Sequence, residues 1–178
     1  MKKENSIWDL YISGIIICLG GLFLLFPLLN ITDLNLVYRI FLGTLSILSI
    51  IRFFKHWQSK EYSSFFLFFI SMLLFICSFL WNLTATPKIF ALSLLSWVLF
   101  ASFAILKRAD FFHDRKSKIW CLEVALLICF FLGGILTCAN FAFNTETSIL
   151  LLGYFCFMYG VLELQQNLMI YLTKGKIK

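Results

Sequence analysis

Residues 150–171 read LLLGYFCFMYGVLELQQNLMIY. Within this run Gly153, Cys156, Gly160, Glu163 and Asn167 follow one another at spacings of three, four, three and four. A helix turns once in 3.6 residues, so these five share one side, while Leu, Ile, Val, Phe, Met and Tyr occupy the others. In water such a polar stripe would face solvent. In lipid it faces inward, against other helices. The stretch therefore predicts a packed membrane bundle with an acidic group, Glu163, inside it.

The remainder of the chain agrees. Of 178 residues, 61% are hydrophobic and only 13% are charged, where a soluble domain carries roughly 25%. Mean hydropathy is +0.93. No long polar stretch is left over for a soluble domain. The first apolar run follows Met1 to Asn5 directly, is too long for a signal-peptide core, and has no small-residue cleavage site after it, so a retained helix is expected.

Crossing the hydrocarbon core takes roughly 20 residues. Six segments qualify, at residues 7–29, 35–54, 62–83, 88–106, 119–139 and 147–172. Ser6 and Asp9 are spaced as in a capping box at the start of the first. Pro27 closes it, and Pro87 precedes the fourth. The links at 30–34, 84–87 and 140–146 are short enough to force antiparallel neighbours. The expected fold is all-α: one transmembrane domain over residues 1–178, a polytopic bundle of six helices arranged as three repeated hairpins.

Charge sets the expected orientation. Of the 15 Lys and Arg residues, all but Arg39 and Lys88 fall on the side that carries the N-terminus. The positive-inside rule then places both termini in the cytoplasm. The net charge of +6 is thus a topology signal and an attraction to anionic lipid headgroups, not a nucleic-acid footprint. Trp8, Trp57 and Trp120 stand at the cytoplasmic starts of the odd-numbered helices, as an aromatic belt requires.

The hairpins resemble one another. Trp8 precedes Gly20 and Gly21 much as Trp120 precedes Gly133 and Gly134, and Leu42-Gly43 recurs as Leu152-Gly153. The offsets suggest three copies of a unit of about 55 residues. On Trp8 and Trp120, the glycines Gly14, Gly20, Gly21, Gly43, Gly133, Gly134, Gly153 and Gly160, the turn residue Pro27, and basic residues after even helices such as Arg52, nearly the whole chain resembles the HdeD-like acid-resistance membrane proteins. That resemblance implies a bacterial inner-membrane protein tied to acid or envelope stress. It carries over no catalytic residues.

Glu163 is the sharpest polar feature. It lies about nine residues before the end of its helix, roughly 14 Å deep at 1.5 Å per residue. With no Lys or Arg expected at that depth, the residue is predicted to be protonated. It then serves either as a proton-responsive group or as a structural hydrogen-bonder to Ser, Thr or Asn, with Asn167 one turn on. Glu123, one turn from the surface, is expected to pair with Lys118 or Arg115. Arg39 should snorkel toward Asp33 or Glu146. The small residues Gly14, Cys18 and Gly21 in the first helix, Gly43 in the second, Gly133 in the fifth, and Gly153 and Gly160 in the sixth allow close helix packing, within the chain or between copies in a homo-oligomer.

The six cysteines lie inside apolar runs and read as small buried hydrophobes. His56 and His113 have no ligand-spaced partners, so no metal site or cofactor is expected. No phosphate loop, zinc motif or nucleophile triad appears, which argues against an enzyme. A non-enzymatic, stress-linked membrane protein is the preferred reading. The alternative is a small oligomeric transporter or channel with Glu163 on its path.

Overall fold

The computed structural model describes residues 3–56, 63–114, 119–139 and 144–175. Its helices are α1 (Lys3–Leu25), α2 (Leu34–His56), α3 (Ser63–Leu80), α4 (Pro87–Asp114), α5 (Ile119–Ala139) and α6 (Thr145–Gly175). There is no strand among the described residues.

Local chemistry sets the ends. After α1 a 3-10 turn, Pro27–Leu29, runs into Asn30, whose φ of 57° is left-handed. Asn tolerates that region better than most residues. Asp33 caps α2, its Oδ1 accepting from the Asn35 and Leu36 amides at 3.1 and 3.2 Å. Pro87 opens α4, where its missing N–H costs little. Asn144 caps α6 by accepting the Thr147 amide at 2.8 Å. The expected Ser6–Asp9 capping box is absent: α1 is already helical at Lys3, and Asp9 lies in its second turn, buried.

Among the described residues five helices are long and apolar enough to cross a membrane: α1, α2, α4, α5 and α6. The chain is a multi-pass membrane protein. The third expected span, 62–83, ends early: among the described residues α3 stops at Leu80, and its apolar part covers Phe65–Leu80. Even so, α3 runs alongside α2 through most of the bundle: Phe65 meets Phe53, Phe75 meets Gly43, and Ser78 meets Arg39.

The short links turn the chain back as expected, yet the most extensive packing is not within the expected hairpins α1–α2, α3–α4 and α5–α6. It joins α1 to α6, α2 to α3 and α4 to α5. Each odd helix thus leans on the even helix of the preceding hairpin, cyclically. Along the α1–α6 seam Leu24 lies opposite Gly153, Ile17 opposite Gly160 and Asp9 beside Asn167. This register is antiparallel, so the first and last helices bring their terminal ends to one end of the bundle.

The even helices form the inside. Half of the apolar stretch of α4 and 56% of that of α6 is buried, against 33% for α1 and 28% for α5. The backbones of α2 and α4 stay apart, and aromatic rings fill the space between them. Phe41 meets Trp97 edge-on at 4.9 Å, Trp97 meets Tyr159 at 5.3 Å, and Tyr38 meets Phe90 at 5.5 Å. Edge-to-face packing at these distances adds to the dispersion and burial that hold the core.

Candidate functional site: a buried charged layer

Near the end of the bundle where α1 begins and α6 finishes, five helices send polar groups inward. Asp9 and Ser13 come from α1, Arg52 from α2, the Ile105 carbonyl from α4, Glu123 from α5, and Tyr159, Glu163, Gln166 and Asn167 from α6. All the side chains named here are buried. The common depth follows from the antiparallel weave: the start of each odd helix lies beside the later part of an even one.

Arg52 is the centre. Its Nη1 donates to Glu163 Oε1 at 2.5 Å. Its Nε lies 3.4 Å from Asp9 Oδ1. The Tyr159 hydroxyl donates to the same Glu163 oxygen. One turn on, Asn167 Nδ2 donates to Ser13 Oγ at 2.9 Å and to the Asp9 carbonyl at 3.3 Å, and Ser13 Oγ donates to that carbonyl at 2.8 Å. Charges removed from water are costly unless paired and hydrogen-bonded. Here one guanidinium ties α1, α2 and α6 together through two carboxylates. Beside this cluster, Gln166 Nε2 donates to the Ile105 carbonyl at 3.2 Å and to Glu123 Oε2 at 3.1 Å, linking α4, α5 and α6.

The inward stripe of α6 is where the spacing puts it. Gly153, Cys156, Gly160, Glu163 and Asn167 are all buried. The expectation that Glu163 has no cation at its depth is overturned. Helix α2 runs on to His56, so Arg52 sits within it, 3% exposed, and its long side chain reaches inward. A signal was present: extending the Ser46 and Ser49 face by three residues arrives at Arg52. Asp9 was likewise missed as a partner, although Asp9, Ser13 and Gly20 lie on one buried face of α1.

Other expectations divide. Glu123 binds Gln166; its expected partners Lys118 and Arg115 lie outside the described residues. Arg39 turns away from Asp33 and Glu146, donating to the Ser78 carbonyl at 2.8 Å with its guanidinium over Phe79 at 4.4 Å. Trp8 is exposed, and the Lys55 ammonium lies 3.8 Å from its ring centre. Trp57 lies outside the described residues. All six cysteines are free, but Cys18, Cys121 and Cys129 are exposed on the bundle's outer surface, not buried. Among the described residues no group of three or more His, Cys, Asp or Glu side chains could hold a metal ion.

The glycines sort by contact. A Cβ on Gly153 would lie 2.9 Å from the Leu24 nitrogen, and one on Gly160 2.9 Å from the Ile17 nitrogen. Gly43 meets the Phe75 ring at 3.2 Å and Gly133 the Phe155 ring at an ordinary 3.6 Å. Gly14 and Gly21 have nothing within 4 Å; the close contact on α1 is Gly20, whose Cβ would overlap the Phe157 backbone. The reason is rotational: Gly14 and Gly21 point away from α6, toward the bundle's exterior.

No family model, no curated protein and no solved structure matches this chain.

Proposed function

We propose that this is a non-enzymatic inner-membrane protein of the HdeD-like type, tied to acid or envelope stress, with both termini in the cytoplasm. Its working part is the charged layer under the terminal ends of the bundle. The observation that carries this reading is Arg52 held between Asp9 and Glu163, on three different helices. Protons compete with a guanidinium for carboxylates, so acidification weakens the tie and frees α1 and α2 from α6. That makes the layer a natural point for a change of proton concentration to alter the bundle. Basic residues at the same end draw it to anionic headgroups, and the open Gly14–Gly21 face of α1 is where a second copy would pack.

A transport role needs a polar path through the whole bundle. Beyond the charged layer the interior is occupied by Phe41, Trp97, Phe90 and Phe23, which favours a closed, responsive bundle over a conduit. The test is growth of a deletion strain across acid and envelope stresses. Impaired growth at low pH should be restored by the wild-type gene and not by Arg52→Gln, with both proteins present in the membrane. Unimpaired growth of the deletion strain under every stress would refute the reading.

A further inference from the structure

The buried Glu123–Gln166 contact leaves a specific gap. Glu123 is 2% exposed and Gln166 1%. Gln166 uses both amide hydrogens, one on the Ile105 carbonyl and one on Glu123 Oε2. Because both of those partners are acceptors, the amide orientation is fixed. Two acceptors then remain without any hydrogen bond, Glu123 Oε1 and Gln166 Oε1. A buried acceptor without a donor is costly, and here two occur on the same pair of side chains.

One hydrogen satisfies both. A carboxylic acid and a primary amide close a ring of two hydrogen bonds, the amide N–H donating to one carboxyl oxygen and the acid O–H donating to the amide oxygen. We infer that Glu123 is a proton-binding site: its carboxyl keeps a proton at neutral pH, on Oε1, and donates it to Gln166 Oε1.

The charges around it agree. Helices α4 and α6 pack against α5. From α6 come the neutral Gln166, Glu163 one turn earlier and already bonded to Arg52, and Tyr159 two turns earlier. From α4 comes the Ile105 carbonyl; Lys107 holds its ammonium near the exposed Phe103 ring, 5.9 Å from its centre. The guanidinium of the layer is shared between Asp9 and Glu163 and is not in contact with Glu123. Among the described residues no cation contacts Glu123, and a proton neutralises it in place. Two other species could satisfy the pair of acceptor oxygens: a water, which donates two hydrogen bonds and would leave the acid ionised and the band missing, and a small monovalent cation such as sodium; the test separates all three.

The full-length protein in detergent is examined by infrared spectroscopy and by thermal unfolding from neutral to alkaline pH, in sodium and in N-methylglucamine buffers. The wild type should show a protonated-carboxyl band at neutral pH that Glu123→Gln lacks. A folded state that holds a proton the unfolded chain releases loses stability as pH rises. The wild-type melting temperature should therefore fall on the alkaline side while that of Glu123→Gln stays flat, and neither should respond to sodium. Should Glu123→Gln not fold, Gln166→Leu should move the band to higher frequency without removing it. A band missing from the wild type, unchanged in both variants, or replaced by a sodium-dependent melting temperature that Glu123→Gln abolishes would overturn the inference. None of these readings depends on a stress phenotype, so the two proposals fail separately.

Discussion

Arg52 Nη1 and Glu163 Oε1 meet at 2.5 Å across the α2–α6 contact, with Arg52 3% and Glu163 0% exposed. A pair this deep resists replacement of one member more than replacement of both. A lone buried charge keeps its desolvation cost without the compensating attraction.

Arg52→Met should therefore be among the most damaging single changes, because it strands Asp9 and Glu163 together. A loss of about 3–5 kcal/mol is expected, read as reversible unfolding in mixed micelles. Arg52→Lys should recover only part of it, since a compact ammonium lacks the fork that lets Nη1 and Nε serve two carboxylates.

Tyr159→Phe tests the hydrogen bond without the packing. The ring keeps its edge-on contact with Trp97, and only the hydroxyl that donates to Glu163 is lost. A cost of roughly 1.5–3 kcal/mol is the range for a bond to a charged group. An unfolding curve that matches the wild type would show that the hydroxyl contributes nothing to the cluster.

The α1–α6 seam depends on backbone approach. Gly20→Leu and Gly160→Leu should each lower the melting temperature markedly, because even a Cβ would overlap the facing helix. Gly14→Leu, with nothing of its own chain within 4 Å, should leave the melting temperature of the monomer nearly unchanged. Equal effects at all three positions would mean that α1 is rotated from the orientation described.

Orientation is tested by labelling single cysteines in intact cells. Positions 32 and 144 lie at the end opposite the charged layer, and both are exposed. They should react with an impermeant reagent from outside, while positions 55 and 112 should react only after permeabilisation. The reverse pattern would invert the proposed topology.

The bundle was largely legible because lipid imposes a period on helices that water does not obscure. The stripe of α6 and the short links at Asn30 and Pro87 carry that information directly. Less legible was which helices would pair. Links constrain direction, whereas the α1–α6 seam arises from Gly20, Gly153 and Gly160, far apart in the chain. The charged layer was half visible. Glu163 stands out in an apolar run, but Arg52 and Asp9 lie near helix ends, where charges usually mark the membrane surface. Only the inward turn of their side chains, a tertiary property, separates them from that background.

The central claim is that Arg52 and Glu163 act as one unit in the buried layer, and a double-mutant cycle tests it most directly. Arg52→Met, Glu163→Met and the double variant are unfolded reversibly in mixed micelles. Coupling should make the double variant cost less than the two single losses combined, by about 0.5–3 kcal/mol. Losses that simply add would contradict the claim, because two side chains that share no interaction contribute independently.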